Sequence, residues 1–297
     1  MNDHRAIIAA LPEATKATLT ARSNARGLLH LASHIGTLTL TGGYIATQGP
    51  FWGVMLLLHG ILIVFLFTLS HECTHQTPFR TPWINDAVGV AVAPLLMLPF
   101  YWFRYFHLAH HRFTNDPDRD PELAGGGRPV TWRAYLIYLS GWAYWRGNVS
   151  TLWRNAFGTI DAPYLPARRH ALMRIEARVL IGLYTLFAIS LIWSPLLIWL
   201  WLVPVLVAQP FLRLYLLAEH GHCPPVANML ANTRTTRTTR FVRWLAWNMP
   251  YHAEHHSYPA VPFYQLPALH ALMADDLLAV SPSYTDFTKR YANALER

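Results

Sequence analysis

The chain has 297 residues, 53% of them hydrophobic and only 13% Asp, Glu, Lys or Arg, with a formal net charge of +8. Soluble domains carry about 25% charged residues, so this composition argues against a soluble two-domain enzyme and against a disordered or fibrous chain. The basic excess, 22 Arg and two Lys against 16 acids, flanks long apolar runs. That placement reads as a membrane-topology signal and not as a nucleic-acid surface.

The first 26 residues include Asp3, Pro12 and Glu13 and lack the apolar stretch of a signal peptide, which predicts a retained, cytoplasmic N-terminus. Gly27–His71 then runs 45 residues without a charge, and Val179–Leu212 another 34. A helix needs about 20 residues to cross the hydrocarbon core, so each run has the length of two spans joined by a tight turn. Gln48-Gly49-Pro50 divides the first into spans over 28–47 and 51–70, and Ser194-Pro195 divides the second into 179–193 and 196–218. The expected fold is an all-α integral membrane domain over residues 1–297. Its four transmembrane helices form two hairpins, both termini and the Arg-rich segments are cytoplasmic, and a His-rich cap lies on that side. Two shorter apolar stretches, 87–103 and 134–145, are predicted to be interfacial or re-entrant. A crossing at 87–103 would put His71 and His107 on opposite faces.

The histidines carry the chemistry. His71 and His75 form HECTH, His107, His110 and His111 form HLAHH, and His252, His255 and His256 form HAEHH. Spacings of three and four residues place side chains on one helix face, the geometry a His-ligated metal needs. His71 closes the second predicted span and His220 the fourth, so the boxes converge on one membrane face. Eight or nine imidazoles exceed the coordination of one ion, and two metals are expected. His220, in AEHGH, is the ninth candidate, with His222 its rival. His30, His34 and His59 fall inside spans and read as hydrogen-bonded intramembrane residues. His4, His170 and His270 show no partner pattern. Glu72, Asp116, Asp118, Asp120, Glu219 and Glu254 are the nearby acids able to orient ligand imidazoles. Trp102, Trp247 and Tyr251 are placed either as interfacial anchors or as walls of an acyl slot. Cys73 and Cys223 offer no disulfide framework.

Taken together, HECTH, HLAHHR and HAEHH, with the flanking HHRFTNDPDRDPE and WNMPYHAEHHSYP, resemble the membrane fatty-acid desaturase and hydroxylase superfamily, in a bacterial desaturase-like form. The resemblance covers about residues 28–270. It implies two non-haem iron ions held by the nine histidines, dioxygen as co-substrate, and attack on an unactivated C–H bond of a lipid or acyl chain in a bacterial inner membrane. Either a double bond or a hydroxyl results, on a lipid, carotenoid or related substrate. Imidazoles alone suit several metals, so iron comes from the resemblance. Neither an H-P-G-G haem motif nor a Gly-rich nucleotide fingerprint is present, so electrons are expected from a separate protein such as a ferredoxin with its reductase. Arg234, Arg237 and Arg240, spaced three apart before the third box, are expected either to line a positive-inside loop or to dock that donor or an anionic head group.

Two other readings stay open on sequence grounds. HECTH also satisfies H-E-x-x-H, the helix motif of zinc proteases, with Glu72 as the water-activating base. A metal transporter is the non-enzyme alternative.

Overall fold

The computed structural model describes residues 3–124 and 126–296, and these are predominantly helical. Two helices are long and apolar enough to cross a membrane, Trp52–Thr74 and Ile198–His220, each of 23 residues. At 1.5 Å per residue each is about 35 Å long. They pack against one another at Gly60, where a Cβ would stand 2.1 Å from the Pro204 carbonyl oxygen, so only glycine permits the approach. Both deliver histidines at their C-terminal ends: His71 and His75 on the first, His220 on the second.

Neither helix is uniform, and the intramembrane histidines serve the irregularities. Ile198–Leu202 is a π-helical turn, and Pro204 behind it has no N–H to return to the Leu200 carbonyl. His59 Nε2 donates to that carbonyl at 3.0 Å, while its Nδ1 accepts from the Thr41 hydroxyl at 2.8 Å. The other helix is interrupted at Phe65. There His34 Nε2 donates to the Leu62 carbonyl at 2.9 Å and its Nδ1 accepts from Trp247 Nε1 at 3.3 Å. His30 donates to the Trp244 carbonyl at 2.9 Å. Each replaces a donor that water cannot supply in an apolar surrounding.

The other two expected spans are also helices, Asn24–Ala46 and His170–Ser190, but they are more polar. Ser, Thr, Gly and His dilute the first, and Arg174, Glu176 and Arg178 occupy the N-terminal half of the second. By length and composition, therefore, two of the four expected spans stand out as membrane-crossing. The stretch 87–103 is not one interfacial segment. It divides between Pro82–Leu96 and Phe100–Phe113, which meet at 99° around Met97 (φ +53°) and Pro99. The second of these helices carries HLAHH, and its N-terminus is held from another element. The buried Glu176 carboxylate accepts from the backbone N–H groups of Phe100 (2.7 Å) and Tyr101 (3.0 Å). The stretch 134–145 also divides, into Trp132–Leu139 and Trp142–Phe157. The break is Gly141, at φ +72° and so close to Gln209 that a Cβ would lie 2.3 Å from its Cγ. Trp132, Leu136, Trp142, Trp153 and Phe157 are exposed on these two helices, a pattern suited to the headgroup level of a bilayer.

Beyond His220 the chain folds beneath the helices. Thr235–Thr236 pairs in parallel with Val280–Ser281, Thr235 opposite Val280. This small ladder and the segments around Asn232 and Phe263 bury the helix His252–Ser257, in which His252, Ala253, Glu254, His255 and His256 are all inaccessible. The third box therefore enters the centre from a segment tied to the small ladder and also to both long helices, through Arg234 N–H to the Glu219 carbonyl (2.7 Å) and Phe263 N–H to Glu72 Oε2 (3.0 Å).

Candidate metal centre

Nine histidines from four segments meet in one buried volume. One ring nitrogen from each of His71, His75, His107, His111 and His255 lies within 4.8 Å of the others, and one from each of His110, His220 and His256 forms a separate such group. His252 joins the second set, its Nε2 3.2 Å from that of His220. Every residue of the three boxes and His220 is therefore in place, in two clusters that share box two and box three. His222 is excluded: it lies outside, at φ +57°, stacked on Tyr291 at 4.3 Å.

The hydrogen-bond chemistry of the second cluster shows what it is built to hold. His110 Nδ1 lies 3.0 Å from both oxygens of Asp120, His220 Nδ1 3.2 Å from the Asn232 carbonyl, and His256 Nδ1 3.2 Å from Thr114 Oγ1. The Thr114 hydroxyl donates to the His110 carbonyl at 2.8 Å, so its oxygen is the acceptor toward His256. All three imidazoles thus donate through Nδ1, and in the neutral form each keeps a lone pair on Nε2. Those lone pairs face inward. His110 and His220 bring Nε2 atoms to 3.2 Å, and His256 Nε2 is buried without a hydrogen-bond partner. Facing lone pairs repel unless a cation lies between them. Two nitrogens adjacent on one ion, with bonds of about 2.1 Å, are about 3.0 Å apart. The residues present fit a metal.

The first cluster has the same contacts with fewer fixed tautomers. His75 and His107 bring Nε2 atoms to 2.9 Å, His111 and His255 to 3.2 Å. Both ring nitrogens of His71 are buried and unpartnered. His255 Nδ1 lies 3.5 Å from Glu72 Oε1, and in the second cluster His252 Nδ1 lies 3.4 Å from Glu219 Oε1. These are ion-pair distances without hydrogen-bond alignment. Burial, reinforced by neighbouring imidazoles, holds His252, His255 and His256 well below the usual histidine range, and burial together with the Arg104 charge and His110 holds His75 down at about 3. At neutral pH these rings are uncharged, the form a metal requires.

The six expected acids separate into two kinds. Asp120 anchors His110 and is itself fixed by the backbone N–H groups of Asn115 (2.8 Å) and Glu122 (3.0 Å). Glu72 is fully buried and accepts from Thr77 Oγ1 and the Phe263 N–H. Glu219 faces His252, and Glu254 binds Thr235 Oγ1 and His270 Nδ1, which gives His270 the partner its sequence context did not reveal. Asp116 and Asp118 do not reach the centre. Asp116 pairs with Arg119, and Asp118 is exposed at the same turn. Asp120 alone of that run points inward, because the turn at Asn115 (φ +61°) brings it back over His110. No sequence motif marks the Asn232 carbonyl or the Thr114 hydroxyl as a ring anchor, or Thr235 as the partner of Glu254.

A cavity of about 310 Å³ opens onto both clusters, touching His71, His107, His110, His220 and His252. Phe67, Leu98, Trp102, Phe103, Phe106 and Leu216 form its apolar wall. Trp102 is thus a wall of the slot. Trp247 is instead fully buried beside His30 and Phe263, and Tyr251 is bound to Arg243. Arg234 is also internal: it donates to the carbonyls of Ala218 (2.9 Å) and Gly221 (2.6 Å) and lies over Phe287. Only Arg237 and Arg240 of the basic run are exposed.

A helical scaffold with two long apolar helices, a buried poly-histidine centre and an apolar slot suits a membrane metalloprotein, and comparison with known families narrows the class. The fatty acid desaturase family model matches residues 49–288, and the chain belongs to that family. It is 26% identical over 193 residues to an endoplasmic-reticulum omega-6 fatty acid desaturase of Glycine max, covering 58% of this chain and 49% of the relative. It is 28% identical over 155 residues to an sn-1 oleoyl-lipid 12-desaturase of Picosynechococcus sp., covering 49% and 43%. A third relative, from Nostoc sp., is named an sn-1 acyl-lipid omega-3 desaturase (ferredoxin), with 29% identity over 86 residues covering 29% and 24%. The chain spans about half the length of the first curated relatives it matches.

Proposed function

We propose that this protein is a membrane-bound desaturase that removes two hydrogens from a fatty-acyl chain. The carrying observation is the cavity, an aromatic slot whose inner wall is made of histidines from both clusters. Two iron ions, held by His71, His75, His107, His111 and His255 and by His110, His220, His252 and His256, would supply dioxygen activation beside the bound chain. The reaction balances as one dioxygen, two electrons and two protons in, with one carbon–carbon double bond and two waters out. The chain's own residues do the rest. Asp120, Asn232 and Thr114 fix the ring orientations, the aromatic wall holds an aliphatic segment against the histidines, and burial excludes bulk water from the reacting carbons.

The competing readings lose their support here. In the protease reading Glu72 would activate water at an open zinc position with three protein ligands, yet its Oε2 is bound to Thr77 and Phe263, its Oε1 faces His255 at 3.5 Å, and four more histidines cluster with His71. The transporter reading needs polar groups along a path through the spans, and His30, His34 and His59 are each tied to carbonyls. Hydroxylation is not favoured, since the three relatives carry desaturase names. Electrons would come from a separate carrier such as a ferredoxin, the donor named for the Nostoc relative; exposed Arg237 and Arg240 offer it a basic surface.

The four-span topology with a cytoplasmic centre belongs to the same proposal. Trp52–Thr74 and Ile198–His220 both end at the histidines, so a chain passing through the membrane in each must cross back once between them. His170–Ser190, packed through Tyr184 and Phe187 onto Trp201, supplies that crossing, and the Arg-rich loops put the histidine end inside. The test is incubation of membranes from an expressing strain with a reductase–ferredoxin pair. Lipid acyl masses should fall by two units; a gain of sixteen units would contradict desaturation.

A further inference from the structure

The cavity that meets the histidines is not apolar throughout. Arg213 lies in its wall, inside the Ile198–His220 helix and seven residues before His220. Seven residues are two turns, which puts both side chains on one helix face about 10 Å apart along the axis. The guanidinium lies over the Tyr144 ring at 4.6 Å, yet its Nε and Nη2 are cut off from water with no acceptor. Among the described residues no carboxylate stands within ion-pair distance of it. The two acids of the same cavity are turned elsewhere: Glu219 faces His252 at 3.4 Å and Glu122 faces His110 at 3.6 Å. Asn148, also in the cavity wall, has a buried Nδ2 without a partner. A half-buried cation with two sequestered N–H groups and a buried amide nitrogen left without acceptors cost free energy. These Arg213 and Asn148 nitrogens lack an acceptor within hydrogen-bond distance on this wall.

We propose that Arg213, assisted by Asn148, is the specificity-determining residue that binds an oxyanion carried by the acyl substrate, a carboxylate or a phosphate. This rests on the acyl-chain reading of the cavity and deepens it. The planar fork of the guanidinium suits either group. The two-turn separation from His220 makes the reacting carbons lie several bonds from the head group, with the intervening chain against Leu216 and the phenylalanines. A substrate whose head is an uncharged ester would leave Arg213 unmatched and bind more weakly.

Binding to the full-length, metal-loaded protein in non-ionic detergent tests this without turnover. Trp102 in the cavity wall is the reporter, and the quenching component lost in Trp102→Phe reads cavity occupancy. The probes are 9,10-dibromostearate, its methyl ester, and the lysophosphatidate carrying the same acyl chain. Wild-type protein should bind an anionic probe about tenfold or more tighter than the ester, and the tighter of the two anions identifies the head group. Arg213→Gln should abolish that preference while the ester binds as before, and Arg213→Lys should restore part of it. Asn148→Asp, which gives Arg213 an internal carboxylate, should abolish it too, so the test survives if Arg213→Gln fails to fold. Quenching with no preference in the wild type, or with the preference intact in Arg213→Gln and Asn148→Asp, would overturn the subsite. Absence of Trp102 quenching by all three probes would overturn the acyl-chain reading itself.

Discussion

The histidines of this protein belong to two populations, and the contrast lies in what each ring's second nitrogen does. His34 and His59 engage both nitrogens with protein partners, donating to a carbonyl and accepting from Trp247 or Thr41. His110, His220 and His256 spend only Nδ1, on Asp120, the Asn232 carbonyl and Thr114, and turn Nε2 toward one another. Residue type and burial are the same in both. Among these five, the rings with both nitrogens satisfied read as structural, and those with one nitrogen held and the other lone pair unopposed read as ligands of the proposed metal.

That contrast can be broken by substitution, and the largest effect is expected at the centre. His256→Ala should remove activity and reduce bound metal while the protein still folds, because a ligand is lost and no backbone group is orphaned; metal analysis and circular dichroism check this. Retained activity and metal would move His256 to the structural population. Next comes Asp120→Asn. Loss of the charged partner of His110 should weaken metal binding by about 10–100-fold, measured by chelator competition, and the introduced amide nitrogen, set against the backbone N–H of Asn115 or Glu122, should cost about 1–3 kcal/mol in thermal unfolding of the metal-free protein. His59→Leu should cost stability without touching the metal. The Leu200 carbonyl loses its donor at the Pro204 break, at a cost of about 1–3 kcal/mol in thermal unfolding, with two metal ions still bound. If His59→Leu lost metal and kept its stability, the contrast would fail. The smallest effect is expected for His222→Ala, within about 0.5 kcal/mol of wild type and with full activity, since this ring only stacks on Tyr291.

Much of this was legible in the sequence because the signals were local. The spacing within HECTH, HLAHH and HAEHH marked the histidines that cluster, and the uncharged runs carried the two helices that deliver His71 and His220. His220 was separable from His222 by its position at a span terminus, and the structure puts it in the second cluster. What failed was non-local. Asp116, Asp118 and Asp120 look alike in HHRFTNDPDRDPE, and only the backbone turn at Asn115 selects Asp120. The 99° corner at Met97 is stabilised by Glu176, whose hydrogen bonds to Phe100 and Tyr101 join positions 75 residues or more apart. Arg234 looked like one of three equivalent surface cations, and the carbonyls of Ala218 and Gly221 take it inside. Periodicity announces a helix face; it does not announce which distant acceptor that face will meet.

The central claim is that nine histidines form two metal sites from two complementary clusters. The most direct measurement is the metal content of the purified full-length protein, determined for iron and zinc together. The account predicts about two irons per chain, falling in His256→Ala and unchanged in His59→Leu. One zinc per chain, or metal content indifferent to His256→Ala, would contradict it.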